Sequence, residues 1–246
     1  MDIFSKKFAL KNFETRDVSK FFQSRKSGFT LIELLVTISI FVVLTGVVLF
    51  SQNNFNNTIL LGNFAYDTAL TIRQAQSYGV NTRESGVETA PGAFPAYGVF
   101  FDISSLGSKT NFILFADTGN GIGGNPDLIY DNASANAASI LGSVQSCPTQ
   151  DPECVEKYSI TGGNFIQSLC TVPIVGSNIC QSTTRLDILF RRPNQDALIY
   201  TIDSNGNVIT DSNGKPENSS AQIVVSSANG ATSTIVVTSI GQIYVQ

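Results

Sequence analysis

The 246-residue chain contains no histidine, and this absence removes a large part of catalytic chemistry. Without an imidazole there can be no Ser-His or Cys-His nucleophile pair and no histidine-ligated metal centre. The sequence also shows no phosphate-binding P-loop and no convincing pair of carboxylates. We therefore expect a protein that is not an enzyme and that needs no cofactor.

Charged residues and early prolines are also scarce. Charged residues make up only 14% of the chain, and no proline occurs before Pro91. Glycine, asparagine, serine and threonine are plentiful, which is typical of β-rich and loop-rich proteins outside the cytoplasm. The length is sufficient to bury a sizeable core in one or two domains.

One long hydrophobic run stands near the start of the chain. Residues 29–50 form a run of 22 residues with a single ionisable side chain, Glu33. About 20 mainly apolar residues are needed to span a bilayer as a helix. Residues 1–28 hold seven basic and three acidic side chains, whereas the remainder holds eight basic and 16 acidic ones. Because basic flanks stay on the cytoplasmic side, we predict a single pass through the cytoplasmic membrane, with the N-terminus inside.

Two common kinds of N-terminal hydrophobic segment fit this run poorly. A secretory signal peptide has an apolar core of about 7–15 residues followed by a small-residue cleavage site. Here the core is longer, and no A-x-A pattern follows it. A plain signal anchor would explain the length and the charges. It would not explain Glu33, because an acidic residue in a spanning helix is costly and usually has a partner.

The segment KSGFTLIEL, residues 26–34, resembles the processing signal of type IV prepilins and type II secretion pseudopilins. The resemblance implies that a membrane-bound prepilin peptidase cuts after Gly28 and that Phe29 becomes N-methylated. Glu33 is then the fifth residue of the mature chain. It further implies assembly with other pilin or pseudopilin subunits through the N-terminal helix, into a filament on the extracytoplasmic side. Pili, secretion pseudopili and competence filaments share this signal, so the machine is left open.

Each part of this signal has a physical reason. Gly28 carries no side chain, so the main chain there can enter a narrow peptidase site. Cleavage creates a positive amine on Phe29, at the end of the apolar helix. A buried ion pair adds little net stability, but a missing partner leaves a costly lone charge. We therefore predict that Glu33 sets the axial register by approaching the terminal amine of a neighbouring subunit. The alternative is that Glu33 only reaches towards the lipid headgroups.

The helix is predicted to continue beyond the membrane, because apolar residues recur every four positions after residue 50. We expect it to end near Gly79; a break near Gly46 or within residues 53–57 is the alternative. Four segments follow from this division: a cleaved basic leader (1–28), a transmembrane and filament-core helix (29–52), an amphipathic second half of the helix (53–80) and an extracytoplasmic β-rich globular domain (81–246).

The globular domain is predicted to be a sheet. Short β-branched and aromatic runs bounded by turn residues indicate eight strands, at residues 97–102, 111–115, 128–130, 185–191, 197–202, 222–226, 234–238 and 242–245. Residues 203–207 and 228–230 have hairpin-turn chemistry. The expected fold class is α+β and pilin-like, with a long N-terminal helix packed on an antiparallel β-sheet domain.

Within the family, the second half of the chain is similar to the GspH/FimT-like branch of minor pilins and pseudopilins, in residues 186–193 and 233–246. Some members of that branch bind DNA through arginines in a Gly-Arg-x-Arg stretch near the C-terminus. Here residues 241–244 read Gly-Gln-Ile-Tyr, and the exported part is acidic. Both features disfavour phosphate binding, so we expect no nucleic-acid partner and a solvated role for the basic pair Arg191–Arg192.

Two alternative functions remain open: a DNA-uptake receptor mounted on the filament, and a binding module for a surface ligand. The second would use residues 147–180, which contain every cysteine of the chain, as a recognition loop.

The four cysteines predict two disulfide bonds, because they all lie in the exported part. We favour the sequence-local pairing, Cys147–Cys154 and Cys170–Cys180. A zinc site made of four thiolates is the alternative. Six and nine residues separate the cysteines of these pairs, whereas structural zinc sites usually have two to four there.

Three aspartates are weak candidates for calcium ligands. Asp117, Asp127 and Asp131 are close in sequence, and calcium prefers carboxylate oxygens. The aspartate turns starting at Asp117 and Asp203 do not fit the EF-hand pattern, which needs glycine at position six and oxygen ligands at positions one, three and five. Turn formation is the default role for such residues.

Overall fold

The computed structural model describes residues 28–81, 94–105, 107–118, 126–130, 147, 151, 153–176, 179–202, 208–210, 213–216 and 218–246, and only the main chain of residues 50–55. Contacts divide the chain into two compact units, residues 1–49 and residues 50–246. The fold class is α+β, with a long N-terminal helix and a mostly antiparallel β-sheet domain. This confirms the predicted fold class.

Helix α1 spans Leu31–Val80. Thr30 caps its start: the main-chain N–H of Glu33 donates to Thr30 Oγ1 over 3.3 Å, as expected of an N-cap threonine. The helix ends one residue beyond Gly79, so the predicted end is correct. It is assigned without interruption through Gly46 and residues 53–57, where the alternative placed a break.

The first unit contains the membrane-length part of α1. Residues Leu31–Leu49 are long and apolar enough to cross a membrane, and none of them is buried within the protein. Side chains around the whole circumference are exposed, including Leu35, Phe41 and Val48. A helix that is apolar all round is stable only in lipid or inside a larger assembly.

The described part of the second unit contains eleven strands in two sheets. All of the strand pairings between them are antiparallel. The six-stranded sheet has the order β3-β2-β1-β6-β7-β8 and the five-stranded sheet the order β11-β10-β9-β4-β5. The strands are β1 Ala96–Asp102, β2 Asn111–Asp117, β3 Cys154–Ser159, β4 Phe165–Pro173, β5 Gln181–Thr183, β6 Arg185–Phe190, β7 Ala197–Ile202, β8 Val208–Ile209, β9 Asn218–Ser226, β10 Thr232–Thr238 and β11 Ile243–Val245.

The main core joins the second half of α1 to both sheets. The helix contributes a stripe at the spacing of an amphipathic helix, made of Leu61, Ala65, Ala69, Ile72 and Ala75. Three of these five residues are alanines, which allow the helix axis to approach the strands closely. The six-stranded sheet contributes alternate residues of its central strands, and the five-stranded sheet contributes the inward residues of β4, β9 and β10.

A second, smaller core covers the other face of the six-stranded sheet. It contains Phe100, Phe115 and Tyr130, and the Tyr130 ring lies 4.9 Å from the Phe100 ring and 5.3 Å from the Phe115 ring. Every residue of β1 is therefore buried, on both faces of the sheet. This core explains why β1 and β2 have nearly continuous apolar sequences instead of alternating ones.

The predicted strand at residues 128–130 is wrong. Leu128 has a φ of +71°, which is incompatible with a strand. The main-chain N–H groups of Asp127 and Leu128 donate to the Asp117 carboxylate, and that of Ile129 donates to Asp127. These main-chain N–H groups, which a strand would donate to a neighbouring strand, thus donate to aspartate side chains instead. The segment is apolar because it covers the second core.

Four strands were missed, namely β3, β4, β5 and β8. Three of them lie within or close beside residues 147–180, which were interpreted as a possible recognition loop. β4 is nine residues long and central enough to pair with both β5 and β9, so most of that region is framework. Exposed Gln167 and half-buried Ser168 interrupt the apolar residues of β4 and obscure the strand pattern in the sequence.

Gly79 allows the last turn of α1 to pass against β6. A Cβ atom added there would overlap the main-chain carbonyl of Phe190, whereas one added at Gly62 in the same helix would meet nothing within 4 Å. We expect Gly79→Ala to lower the free energy of unfolding by about 1–3 kcal/mol through overpacking. Gly62→Ala should raise it by about 0.5–1 kcal/mol, because alanine is the better helix former.

Urea unfolding of the purified protein in detergent, followed by circular dichroism, measures both values. Similar changes for the two variants would contradict the close approach at Gly79.

Candidate functional site

The residues at the start of the described chain form an accessible, non-helical segment. Gly28, Phe29 and Thr30 precede α1 and are all exposed. The space where a Gly28 side chain would lie is open, with nothing within 4 Å. The peptide bond between Gly28 and Phe29 is thus unobstructed by the described part of the chain, as a proteolytic site requires.

Glu33 lies in the first turn of α1. A carboxylate there interacts favourably with the positive end of the helix dipole. The side chain is exposed among apolar neighbours, including Ile32 and Leu34. The ion pair found among the described residues is between Arg185 and Asp102, and no cation in this part of the chain pairs with Glu33. Any cation that pairs with Glu33 must therefore lie outside the described part of this chain or in another molecule.

Residues 23–49 match the family model described as the prokaryotic N-terminal methylation motif. The matched range contains Gly28, Phe29, Glu33 and the membrane-length part of α1. This match supports a type IV prepilin-like protein. Such a motif supports a pilin-like or pseudopilin subunit, and it implies processing by prepilin peptidase and assembly with other pilin subunits. It is also consistent with membrane anchoring and an extracytoplasmic filament.

The match ends at residue 49, before the globular domain, so it does not distinguish the GspH/FimT-like branch from others. No curated protein and no solved structure matches the chain.

Both disulfide bonds of the sequence-local pairing are present. Cys147 bonds Cys154, with 5.6 Å between their Cα atoms, and Cys170 bonds Cys180, with 5.4 Å between theirs. No cysteine is left as a free thiol. The alternative of a four-thiolate zinc site is therefore wrong, since no thiolate remains to bind the metal.

The described calcium candidates form turns. The Asp117 carboxylate accepts the N–H groups of Asp127 and Leu128 over 3.2 and 3.0 Å. Asp127 accepts the N–H of Ile129. No group of three or more acidic, cysteine or histidine side chains in the described part of the chain could hold a metal ion. Asp131 lies outside the described residues, so calcium binding stays a prediction.

Gly241, the first residue of the stretch compared with the family's DNA-binding arginines, and the basic pair Arg191–Arg192 both lie in turns next to strands. Gly241, with a φ of +82°, lies in the turn between β10 and β11, and its carbonyl accepts a 3.0 Å hydrogen bond from Gln76 of α1. The Arg192 guanidinium lies 4.3 Å from the centre of the Phe94 ring in a cation–π contact. Arg191 is exposed, whereas Arg192 is half-buried against Phe94, so only Arg191 agrees with the predicted solvated role.

The most unusual ionisable group in the described part of the chain is Asp187 on β6, which the sequence analysis missed. Its side chain is fully buried on the second-core face, and neither carboxylate oxygen makes a hydrogen bond of standard geometry with the described residues. Burial raises the pKa of Asp187 well above its ordinary value, although the Arg185 guanidinium and the main-chain amide of Tyr130 act in the opposite direction. The signal in the sequence is a single aspartate inside the apolar run LDILF.

We expect Asp187→Asn to stabilise the protein above about pH 4, the ordinary pKa of the carboxyl group. The folded protein holds the Asp187 proton more tightly than the unfolded chain does, because the pKa is raised by burial. Stability is therefore lost as the pH rises from the unfolded towards the folded pKa. Asparagine carries no charge, so the variant escapes this loss. The gain at pH 8 should be about 1–3 kcal/mol, the cost of an uncompensated buried group.

Unfolding at pH 4 and pH 8 checks this expectation. The exposed Asp196→Asn serves as the control and should leave the stability within about 0.5 kcal/mol at both values. An Asp187→Asn variant that is destabilised at pH 8 would show that the carboxylate is charged and compensated.

Proposed function

We propose that the protein is a minor pilin or pseudopilin of a type IV pilus or a type II secretion-type filament. The prepilin peptidase cuts between Gly28 and Phe29, and Phe29 is N-methylated. Before assembly the subunit lies in the cytoplasmic membrane, with its N-terminus inside and its globular domain outside. The observation that carries this proposal is the unbroken sequence Gly28–Glu33, which leads into the first turn of an exposed, membrane-length apolar helix and lies inside the matched methylation motif.

The exposed apolar surface of Leu31–Leu49 suits a subunit that lies in the membrane before assembly and in a filament afterwards. Lipid covers this surface before assembly, and the helices of neighbouring subunits cover it afterwards. Lipid tails are about as apolar as leucine side chains, so moving from one environment to the other provides little hydrophobic driving force. The position of a subunit along the filament must therefore be selected by packing and by polar contacts.

Glu33 provides such a polar contact. After cleavage the amine of Phe29 stands at the end of the chain, and Glu33 lies in the first helical turn. In a bundle of staggered helices, Glu33 of one subunit neutralises the amine of the next. A subunit in the wrong register would leave both charges without a partner in apolar surroundings, which costs several kcal/mol. The pair thus selects the correct register while adding little net stability.

The globular domain has a binding or structural role in this proposal and no catalytic one. The chain has no histidine. Its most perturbed carboxyl group, Asp187, is fully buried and cannot reach a substrate. The acidic exported part disfavours a phosphate-rich partner. A mature chain that begins at Phe29 is bulky for a repeating subunit, which favours a minor component.

N-terminal sequencing and mass spectrometry of the protein, expressed with a prepilin peptidase, test the proposal. The expected product begins at N-methylated Phe29 and lacks residues 1–28. A mature protein that retains the leader, or that begins at another residue, would overturn the proposal.

A further inference from the structure

A small hollow lies between the second half of α1 and strands β2 and β3. The helix groove, as we call it, has a volume of about 290 Å³, and its apolar walls include Phe64, Leu70, Phe112 and Tyr158. The rings of Phe112 and Tyr158 stack, with 5.1 Å between their centres and an angle of 8° between their planes. Small-ligand pockets usually enclose about 300–1,000 Å³, so the groove has room for one long side chain and little more.

Three hydrogen-bond donors at the groove are already used within the chain. The Thr71 hydroxyl donates to a main-chain carbonyl in the preceding turn of α1 over 3.0 Å. The side-chain amide of Gln74 donates to the Tyr78 hydroxyl over 2.8 Å. The Tyr158 hydroxyl donates to the Glu156 carboxylate, also over 2.8 Å. Because acceptor oxygens remain, including the side-chain carbonyl of Gln74, a ligand of the groove must bring donors.

The strongest acceptors at the groove carry negative charge. Asp67 lines the groove, and the bond from Tyr158 holds the Glu156 carboxylate beside it. Burial and the Glu156 carboxylate raise the pKa of Tyr158 to about 12, so its hydroxyl keeps the proton that it donates to Glu156. No lysine or arginine that the structure describes forms an ion pair with either carboxylate. The groove therefore offers a ligand two negative charges that this part of the chain leaves uncompensated.

A guanidinium group meets both requirements of the groove. It carries a permanent positive charge and five N–H donors, and it has no acceptor. Its flat, weakly hydrated plane also stacks on aromatic rings, which the walls of the groove provide. A lysine ammonium would supply the charge without the stacking plane. A phosphate or carboxylate would be repelled by Asp67 and Glu156.

The mouth of the groove indicates that the guanidinium belongs to an arginine on a protein. Leu70 is 58% exposed there, and Tyr66, one turn earlier on the same face of α1, is 62% exposed. A free guanidinium compound would leave these apolar side chains in water. A protein that inserts an arginine would cover them with the surface around it.

The arginines of this chain have other contacts. Arg73 donates to a main-chain carbonyl of β11 over 2.9 Å. Arg185 forms an ion pair with a carboxylate of β1, and Arg192 lies over an aromatic ring. Among the arginines that the structure describes, this leaves Arg191. A minor component also seldom meets another copy of itself. Both points favour an arginine of a different protein.

We propose that the helix groove binds the side chain of an arginine on another protein of the filament. The guanidinium donates to the carboxylates of Asp67 and Glu156 and packs against the aromatic walls, while the surface around that arginine covers Leu70. This inference rests on the proposed function because it places the partner in a filament. It gives the globular domain a specific contact that the helix packing around Glu33 does not supply.

Saturation-transfer NMR on the full chain in neutral detergent tests the chemistry of the groove. The probes are Nα-acetyl-arginine methylamide and its citrulline counterpart, which has nearly the same shape but no charge. We expect the arginine probe to bind at least about tenfold more tightly, since hydrogen bonds between charged groups are the stronger ones. Failure of the arginine probe to bind, or equal binding of the two probes, would overturn the proposal.

Two substitutions at the groove and one outside it assign the binding to the two carboxylates. Asp67→Asn and Glu156→Gln should each weaken binding of the arginine probe at least about fivefold. Asp196→Asn is the control, because it removes the same charge at an exposed position that does not line the groove, and it should leave binding unchanged. Equal effects of all three substitutions would show that only the overall charge matters and would contradict a site at the groove.

Photo-crosslinking in cells that assemble the filament identifies the source of the guanidinium. Leu70 is replaced by p-benzoylphenylalanine, and mass spectrometry identifies the cross-linked peptide. We expect an arginine-containing peptide of a different filament protein, in a yield that falls at least about tenfold when Asp67→Asn and Glu156→Gln are combined. A peptide from a second copy of this chain, or a yield that the combined substitutions leave unchanged, refutes the proposed partner. Binding of the arginine probe without any protein cross-link refutes it too, and assigns the groove to a free guanidinium compound.

Removal of residues 1–28 is measured on the same samples. A normally cleaved protein that fails these tests contradicts only this inference, whereas a protein that keeps residues 1–28 contradicts the proposed function.

Discussion

A Gly28→Leu variant is expected to accumulate with residues 1–28 still attached. Gly28 lies outside α1, and a Cβ atom there would meet nothing within 4 Å, so the substitution leaves the fold of the chain unaffected. We expect the effect to arise in the peptidase, because a site that receives the bare main chain at Gly28 would exclude a branched side chain before the cut bond. A displacement of the reacting carbonyl by about 1 Å is enough to lower the cleavage rate by about a hundredfold.

A gel mobility shift during coexpression with prepilin peptidase measures this cleavage. Gly46→Ala is the matched control, since it also adds a side chain into open space, but within the apolar helix. It should be cleaved at the normal rate. Normal maturation of Gly28→Leu would show that the bond between Gly28 and Phe29 is not the processing site.

The second large effect is expected for Glu33→Ala, which should be cleaved normally but should not enter filaments. Glu33 is exposed in its own chain, and it donates its main-chain N–H, not its side chain, to the Thr30 hydroxyl, so the helix start survives the substitution. In the assembled bundle, the neighbouring Phe29 amine would lose its partner. Removing one member of a buried ion pair costs about 3–5 kcal/mol, which corresponds to at least about a hundredfold loss of incorporation.

Immunoblots of sheared filaments and of membranes separate incorporation from expression. Glu33→Asp keeps the charge one methylene shorter and should retain part of the incorporation. Glu33→Gln keeps the size and hydrogen-bonding capacity, and should fail like alanine if the charge is what matters. Wild-type incorporation of the alanine variant would favour the alternative that Glu33 only reaches towards the headgroups.

Several elements of the fold were predictable because their signals are local. The end of α1 needs only a glycine after a periodic pattern, and the predicted and observed ends differ by one residue. Strands β1, β2, β6 and β7 are short apolar runs between turn residues, and each was expected within two residues of its observed bounds. The hairpin turn at residues 228–230 was also correct, and residues 203–207 lie outside the described part.

The secondary-structure predictions were wrong where an apolar pattern depends on contacts with residues far away in the sequence. Residues 128–130 are apolar because they cover the second core, and the same pattern indicates a strand if that core is unknown. β4 carries glutamine, serine and threonine among its apolar residues, so its strand character is evident only from its pairing with β9. Local patterns cannot distinguish these cases, because burial by a covering segment and burial within a sheet select the same residues.

Asp187 is a single residue whose environment the local sequence pattern could not predict. Its neighbours in the sequence predict a buried strand, but nothing there identifies which groups surround its carboxylate. Arg185, two residues away, is turned to form a 3.4 Å ion pair with Asp102 of β1. Tyr130 and Glu153, which influence the Asp187 pKa, are more than thirty residues away in the chain. Only the strand order β3-β2-β1-β6 and the packing of Tyr130 on the second core bring these groups together.

The sequence by itself determined the processing signal, the apolar span, the charge difference across it and the pairing of neighbouring cysteines. Each of these depends on contiguous residues and on interactions with lipid, peptidase or a close neighbour in the chain. Only the tertiary structure decided that two sheets share the second half of the helix and that Asp187 is shielded from water. These features depend on strand register and close packing between distant segments, which no local pattern encodes.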